Sequence, residues 1–250
     1  MDVDKSSRMN ERDRWNARAE GYDKEPYLEW QRENRLIERI IEIAEPGEDD
    51  TVLDLGAGTG RVSLAIAPYV GGVIAVDISE KMLEVAKRKA KERKIDNIQF
   101  KLGNFLVPGV DRADLIISNE AMHHLTDDEK GRAIRKMAAI LEGGGRVILS
   151  DWMIVFDTEL LRVRAKKLID DFSALDLDVG IRRKFFDERP NIYDLGDFLD
   201  HAIVSYLPNM PETEHPSRVE DLLGFFEDAG LEVDFCKVTA THGIIRARKI

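Results

Sequence analysis

A glycine-rich loop that follows the apolar run Thr51–Leu55 has the composition of a small-ligand site. It consists of Gly56-Ala57-Gly58-Thr59-Gly60. Glycine lets the backbone turn sharply and approach a ligand closely, and the helix expected to begin near Gly60 directs free N–H groups at the same place. Arg61 stands where the dinucleotide pattern G-x-G-x-x-G requires a third glycine. Asp54 would repel a pyrophosphate but suits an ammonium group, so the loop favours a ligand with an amino-acid end.

A second carboxylate, Asp77, ends the next apolar run, Gly72–Asp77. It follows the loop by about 20 residues, which is the spacing at which an acid accepts the hydroxyls of a ribose. The alternative is that Asp77 merely caps the next helix beside Ser79. Strand, loop and acid agree with one another, so we predict a ribose-binding carboxylate.

Two adjacent histidines, His123 and His124, follow the fourth predicted strand on the side where ligands bind. Histidine titrates near neutrality, so either ring is a candidate general base. The alternative is that one ring packs or hydrogen-bonds beneath the loop. Asp151, which ends the fifth predicted strand, is a candidate base or a partner for a cationic substrate. No histidine or cysteine cluster has the spacing of metal ligands, so the sequence predicts no metal.

Short apolar runs alternate with segments of helical period, and this alternation positions the candidate residues. The helical segments are 79–94 and 126–141, and the strand-like runs are Thr51–Leu55, Gly72–Asp77, 97–102, 113–118 and 146–151. Such alternation predicts a parallel sheet with helices on both faces. Ligands bind such sheets outside the carboxyl ends of the strands, where the strand order reverses. The loop, Asp77 and the histidines all fall there.

The end of the chain has a different pattern. Ser217 and Glu220 have capping-box spacing, which predicts a helix that stops at Gly230. Two strand-like runs, 231–238 and 239–248, follow with only a tight connection. So short a link permits an antiparallel hairpin and not a parallel crossover. We therefore expect a mostly parallel sheet that finishes with an antiparallel pair.

Two segments stand outside the alternation and define the expected domain organisation. Residues 1–50 are predicted to form helices that cover the ligand site, and residues 152–216 are too long for an ordinary connection. The latter contain a helical stretch, 158–175, and an apolar segment, 193–207, in which Tyr193 and Tyr206 are candidates to line a pocket. We interpret 152–216 as an inserted helical cap for substrate on a core of 51–151 and 217–250.

Five motifs in order resemble the class I S-adenosylmethionine-dependent methyltransferases. The resemblance is strong over residues 45–151 and weaker over the terminal hairpin. Residues 52–60 match the first motif, 73–77 the second-strand motif, and 143–151 the glycine turn and fifth strand. Asp114–Ser118 and the following Asn119-Glu120-Ala121-Met122-His123-His124-Leu125 match the fourth-strand motif, and Leu102-Gly103-Asn104-Phe105 stands where many members have Gly-Asp. The family implies a doubly wound, Rossmann-like sheet of seven strands in the order 3-2-1-4-5-7-6.

The resemblance also implies which residues hold the cofactor. The loop from Gly56 to Gly60 would wrap the methionine part, Asp54 would sit near its amino group, and Asn119 with Glu120 would meet the same end. Asp77 would hold the ribose, and Ile78 and Met82 would lie against the adenine. Gly103, Asn104 and Phe105 would flank the adenine, with the amide oxygen of Asn104 accepting from its amine in place of the common Asp. Trp15 and Tyr22 resemble an N-terminal segment whose Tyr closes over the cofactor; the alternative for both is ordinary packing.

Composition bears on whether the protein binds nucleic acid or a membrane. A net charge of -11 argues against nucleic acid, whose binding proteins present a basic face. No apolar run is long enough for a membrane-spanning helix, the N-terminus lacks a signal core, and Cys236 is the only cysteine, so we expect a cytoplasmic monomer or homodimer.

We therefore predict methyl transfer from S-adenosylmethionine to a small molecule by in-line displacement. Methylation of protein or RNA, and a non-catalytic cofactor-binding partner subunit, stay open as alternatives.

Overall fold

The computed structural model describes residues 10–25, 28, 31–32, 35–153, 214–237 and 242–250. Its strands are β1 (Thr51–Leu55), β2 (Gly72–Asp77), β3 (Ile98–Leu102), β4 (Ala113–Asn119), β5 (Leu141–Trp152), β6 (Leu231–Lys237) and β7 (His242–Lys249). The helices used below are α1 (Glu11–Arg18), α2 (Leu36–Ala44), α3 (Arg61–Ile66), α4 (Glu80–Arg93), α5 (Asp127–Ile140) and α6 (Val219–Asp228). Among the described residues, no helix is long and apolar enough to cross a membrane.

All seven strands form one sheet in the order β3-β2-β1-β4-β5-β7-β6. Strands β1 to β5 pair with one another in parallel, whereas β7 pairs antiparallel with both β5 and β6. The predicted order and terminal hairpin are therefore confirmed. Because β1 and β4 are parallel neighbours, the loops that follow them leave from the same edge of the sheet. The strand order also reverses between them, which is where such sheets bind ligands.

The central strand β1 is buried on both faces because helices cover both sides of the sheet. Leu53 and Leu55 belong to one apolar cluster, which α5 and α6 complete. Val52 faces the opposite cluster, to which α2 contributes Leu36 and Ile40. Alternate side chains of a strand point to opposite faces, so apolar residues at the adjacent positions Val52 and Leu53 are what a two-sided core requires.

Capping residues set the start of the two helices nearest the site. The hydroxyl of Ser79 accepts from Met82 N at the start of α4. Thr126 and Glu129 form the predicted capping box at the start of α5. The capping box predicted for α6 is wrong: its N-cap is Arg218, without a side-chain cap bond. Ser217 is instead drawn into hydrogen bonds with Lys130 and Asp127, because the buried ammonium group needs an oxygen partner.

One strand boundary also differs from the prediction. The fifth strand begins at Leu141 rather than at residue 146, because Leu141 pairs with Ala113 across a register shift. The predicted cap lies almost entirely in residues 154–213. Its predicted helix, its apolar segment, and Tyr193 and Tyr206 therefore fall outside the described residues.

Candidate active site

A cavity with an empty volume of about 660 Å³ lies at the carboxyl edge of β1, β2 and β4. It brings together many of the predicted residues: Tyr22, Gly56, Gly58, Asp77, Ile78, Met82, Gly103, Asn104, Phe105, Glu120 and His124. Its wall also includes Trp15, which the sequence analysis named with Tyr22. Glu11, Ala121 and Leu125 complete the wall, and the sequence analysis gave them no role in a site.

A second, smaller cavity shares part of this wall and is called the loop cavity below. It is lined by the predicted residues Asp54, Ala57, Thr59 and Asn119, and by Gln31, Arg61 and Val62. Of the predicted site residues, Gly60, His123 and Asp151 line neither of the two cavities. Gly60 instead serves as the N-cap of α3, with a positive φ of 78°.

The glycine loop has the backbone that its sequence predicts. Gly56 and Gly58 have φ values of 75° and 52°, a region that favours glycine. The amides of Gly56 and Ala57 both donate to the carbonyl of Val76, at 2.9 and 3.0 Å. A Cβ added to Gly56 would lie 2.4 Å from the Cβ of Ala121, whereas one added to Gly58 would meet nothing within 4 Å. The first glycine is therefore required by close packing, and the second faces open space in the site.

Asp77 is oriented by the loop that it faces. Its Oδ2 accepts from Gly58 N and its Oδ1 from Ser79 N, both at 2.8 Å. Burial raises the pKa of the Asp77 carboxyl, against the lowering effect of the two backbone bonds. A carboxylate oxygen can accept more than one hydrogen bond. Asp77 therefore has capacity for ligand hydroxyls, while Ser79 performs the helix capping that was the alternative for Asp77.

The amide of Asn104 is used differently from the prediction. Its Oδ1 accepts from Leu106 N at 2.9 Å and from Val107 N at 2.8 Å. An amide oxygen has two lone pairs, so it has no capacity left to accept from an adenine amine. The prediction for this oxygen does not fit the structure, because two backbone amides of the turn after β3 already donate to it. What Asn104 retains for a ligand is its NH₂ group, which donates.

Two buried polar atoms in the loop cavity lack a protein partner. Neither Asn119 Oδ1 nor Gln31 Nε2 has a hydrogen-bond partner within the part of the chain that the structure describes. Gln31 is only 2% exposed, and its Oε1 accepts from Arg61 at 2.5 Å. Leaving a buried donor or acceptor unsatisfied costs about 1–3 kcal/mol. One acceptor and one donor in the same cavity match the ammonium and carboxylate of an amino-acid ligand, so these residues fit S-adenosylmethionine.

Asp54 lies behind the loop rather than at its surface. Its carboxylate is 1% exposed and accepts from the hydroxyl of Ser63 at 2.5 Å. Burial raises the pKa of Asp54 to about 6, although the bonds from Ser63 lower it. An ammonium group in the loop cavity would favour the ionised carboxylate.

His123 is held between two carboxylates. Its Nδ1 lies 2.5 Å from Asp151 Oδ1, and its Nε2 lies 3.2 Å from Glu214 Oε2. Burial lowers the pKa of His123, but Asp151 and then Glu214 more than offset this and raise it to about 10. A ring that keeps its proton at neutral pH cannot accept another. The general-base hypothesis for His123 therefore does not fit this arrangement of the site.

Asp151 is turned toward the protein and not toward a substrate. It is 2% exposed and accepts from the backbone amides of Met122, His123 and Trp152, at 2.7, 3.2 and 2.7 Å. Burial raises the pKa of Asp151, but the neighbouring His123 ring more than offsets this, so the pKa is lowered. The structure thus makes Asp151 a positioning residue for His123, in place of the predicted base or cation-binding residue.

His124, by contrast, faces the main cavity. Its Nδ1 lies 3.1 Å from Glu214 Oε2, and its ring centroid is 5.1 Å from that of Trp15. Trp15 in turn stands edge-on to Tyr22, with centroids 6.1 Å apart. The two predicted N-terminal aromatic residues and one of the two histidines therefore share one wall.

The N-terminal segment is attached to the site by polar contacts. The carboxylate of Asp23 accepts from Thr59 Oγ1 at 2.7 Å and from Lys89 Nζ at 2.8 Å. Asn16 Oδ1 accepts from the Ser79 hydroxyl at 2.7 Å. Thr59 therefore reaches the segment before β1 through its side chain, which a purely ligand-binding role would not require.

Gln31 and Glu214 were missed by sequence reasoning. Gln31 belongs to no motif, and Glu214 lies 90 residues beyond His124 in a stretch without periodicity. Glu120 was predicted as a site residue, but its backbone conformation was not. It has a positive φ of 54°. Its carboxylate lies 2.7 Å from His242 Nδ1. Such strain persists only where surrounding contacts impose it.

Known proteins share both sequence and fold with this chain. The family model described as a methyltransferase domain matches residues 46–185. An uncharacterized methyltransferase of Exiguobacterium sibiricum is 32% identical over 152 residues, 61% of this chain and 68% of that protein. The uncharacterized methyltransferase YcgJ of Bacillus subtilis is 39% identical over 114 residues, 45% of this chain and 44% of YcgJ. That match therefore spans less than half of the relative's length.

A solved structure supports the same assignment at the level of fold. DhpI, in its SAH complex, superposes with a TM-score of 0.62 at 17% identity, covering 94% of this chain and 93% of DhpI. The family model covers more than half of the chain, and the sheet order and the glycine loop agree with it. The chain therefore belongs to the S-adenosylmethionine-dependent methyltransferase family.

Proposed function

We propose that this protein transfers the methyl group of S-adenosylmethionine to a small molecule held beside His124. The observation that carries the cofactor part is the pair of unsatisfied buried atoms, Asn119 Oδ1 and Gln31 Nε2, in the loop cavity. They would receive the amino and carboxylate groups. Asp77, across the shared wall, would receive the ribose hydroxyls.

The sulfonium group of the bound cofactor supplies an electrophilic methyl carbon. The chain then needs only to hold an acceptor atom in line with that carbon, about 3 Å away, and to exclude water. The glycine loop and Asp77 would fix the donor, while Trp15, Tyr22 and His124 wall the space beside it. Since His123 keeps its proton in this arrangement, the proposal needs no proton transfer to that ring.

Three observations support a small acceptor. The main cavity combines apolar and aromatic side chains such as Ile78, Met82 and Phe105 with a few polar groups, which is the lining typical of small-ligand sites. Its mouth carries aromatic side chains and lies in a chain with a net charge of -11, which disfavours RNA. The structural neighbour DhpI has also been solved as a SAM–HEP complex. Methylation of protein and a non-catalytic partner role are the competing functions.

Calorimetric titration with S-adenosylhomocysteine is the first test, because it does not require the acceptor. We expect one site per chain. The absence of binding would exclude the methyltransferase proposal. Stabilisation by NAD instead would indicate a dinucleotide-binding dehydrogenase, the class that Arg61 in the place of a third glycine argues against.

Incubation with methyl-labelled S-adenosylmethionine and a protein-free metabolite extract is the second test. Label in a small molecule supports the proposal. Label only in added protein or RNA would assign a macromolecular acceptor, and binding without any transfer would favour the non-catalytic role.

A further inference from the structure

Three candidate ligand atoms meet next to the main cavity, to whose wall His124 belongs, and form what we call the His–His–Glu cluster. They are His123 Nε2, His124 Nδ1 and Glu214 Oε2. The oxygen lies 3.2 Å from the first nitrogen and 3.1 Å from the second, and all three atoms lie within 4.8 Å of one another. The cluster joins the turn after β4 to a residue that precedes α6 by only a few positions.

These separations are close to those of a metal centre. Zinc binds imidazole nitrogen and carboxylate oxygen at about 2.0–2.2 Å, so two tetrahedral ligands are about 3.3–3.5 Å apart. The two distances in the cluster are slightly shorter than this and would need to open by only a few tenths of an ångström. Two histidines and one carboxylate are also the ligand set of several catalytic sites, which leave a further position open for water or substrate.

Asp151 provides the support that a metal-binding histidine requires. It accepts from the other nitrogen of His123, which directs Nε2 toward Glu214. Metal-ligating histidines characteristically make this second hydrogen bond to a carboxylate. Asp151 is itself fixed by three backbone amides, so it is a support and not a ligand. The other nearby grouping, Glu120 with His123 and Asp151, is less suited, because it uses these occupied atoms and because Glu120 pairs with His242.

Glu214 is held in place by its neighbours in the chain. His215 N donates to the carbonyl of His123 at 2.6 Å. The buried Lys130 donates to the carbonyl of His215 and, at 2.6 Å, to the hydroxyl of Ser217. The carboxylate is thus brought to the histidines by a built connection between α5 and the chain before α6. The two carboxylates, Asp151 and Glu214, would together balance the charge of a divalent cation.

We propose that the His–His–Glu cluster binds one first-row divalent metal ion of the Zn²⁺ type, and that this ion holds an oxygen of the methyl acceptor. The inference rests on the proposed function for its role, because it places a Lewis acid at the wall that the acceptor would share with His124. It also names a substrate class: a small molecule with a hydroxyl group, methylated on oxygen.

Metal binding first displaces the Nε2 proton of His123 to solvent, because an imidazole nitrogen binds a metal only when it carries no proton. The transfer itself then balances without a histidine base. A hydroxyl bound to a divalent cation loses its proton more readily, and that proton passes to solvent. A lone pair of the resulting oxyanion forms the new C–O bond, the C–S bond breaks, and its electron pair returns to sulfur. The sulfonium charge is neutralised in this step, and the metal ion is neither oxidised nor reduced.

Zinc titration of the full-length protein tests the cluster directly. Metal-stripped protein is titrated with Zn²⁺ by calorimetry near neutral pH, and Co²⁺ is added in parallel to record its visible absorption. We expect one site. Glu214→Gln and His124→Ala should weaken Zn²⁺ binding at least about tenfold, and Asp151→Asn by about 10- to 100-fold. His215→Ala is the matched control, because only the backbone of His215 takes part in the contacts described above.

Titration of the same samples with S-adenosylhomocysteine separates this inference from the proposed function. Zinc binding that is absent, or equal in the wild type and in Glu214→Gln, overturns the metal site. If S-adenosylhomocysteine still binds, the metal site alone fails; if it does not, the proposed function fails as well. Should Glu214→Gln prove unfolded by circular dichroism, His124→Ala decides the question by the same criterion.

Discussion

The buried carboxylate of Asp54 makes stability depend on pH in a predictable direction. Burial raises its pKa from 3.8 to about 6 in the folded protein. At 1.36 kcal/mol per unit, the ionised carboxylate costs the folded state about 3 kcal/mol. The cost is absent below about pH 4, where both states are protonated. It grows as pH rises, because the unfolded chain releases its proton first, and it is complete above about pH 6.

Asp54→Asn removes this titration while keeping the volume and an oxygen for the Ser63 hydroxyl. We expect the stability of the variant relative to the wild type to rise by about 3 kcal/mol between about pH 4 and pH 8, and about half of this rise should be reached by pH 5. A pH-independent loss, from the NH₂ group that replaces one carboxylate oxygen beside Ser63, adds equally at every pH. Urea unfolding curves at a series of pH values give the difference directly. An equal difference at both ends of the series would refute the reasoning, because it would mean that Asp54 does not titrate as its burial requires.

The same variant also tests the role of Asp54 at the ligand. An amino group in the loop cavity would favour the ionised carboxylate. The affinity of the wild type for S-adenosylhomocysteine should therefore rise between about pH 5 and pH 7, whereas Asp54→Asn should bind more weakly and show little of this rise. Equal affinities in calorimetry would remove Asp54 from the binding site.

Substitutions at Asp77, in the glycine loop and at Lys130 have outcomes that can be told apart. Asp77→Asn should weaken S-adenosylhomocysteine binding roughly 10- to 100-fold, because a charged acceptor for hydroxyls is lost, and should cost about 1 kcal/mol of stability, because an NH₂ group replaces one of the two oxygens that accept from backbone amides; unchanged calorimetric affinity would contradict this. Gly56→Ala should lower the free energy of urea unfolding by about 2–4 kcal/mol, because the new Cβ overlaps Ala121 and the residue has a positive φ. Gly58→Ala should lower it by only about 1 kcal/mol but should weaken S-adenosylhomocysteine binding. The reverse order of stability would exclude these roles of the two glycines. Lys130→Met should lose about 1–3 kcal/mol of unfolding free energy, because it removes the hydrogen bonds to His215 and Ser217 before α6. The exposed control Lys136→Met should not show this loss, and equal losses in the two variants would contradict the role of Lys130.

Sequence reasoning succeeded where local chemistry decides the structure. Val52, Leu53 and Leu55 are apolar because both faces of β1 are covered, and this pattern is visible without coordinates. The capping box of Thr126 and Glu129 joins residues three apart, so it too is visible. The glycine loop requires positive φ at positions that glycine marks.

Sequence reasoning failed where a side chain is used by a distant or competing partner. Ser217 has the spacing of a cap but binds Lys130, which lies 87 residues away. Asn104 has the right type for adenine, but its oxygen is consumed by its own turn. The proton of His123 depends on Asp151 and Glu214, whose proximity only the folded chain creates. The proposed His–His–Glu cluster likewise includes a residue 90 positions beyond His124, so ligand spacing in the sequence does not indicate it.

A crystal structure of the complex with S-adenosylhomocysteine tests the central claim most directly. The account predicts the ribose hydroxyls on the Asp77 carboxylate, the amino group on Asn119 Oδ1, and the carboxylate group on Gln31 Nε2, with the sulfur facing the wall that contains His124. A ligand bound with Asn119 and Gln31 still unsatisfied, or bound away from the glycine loop, would contradict it.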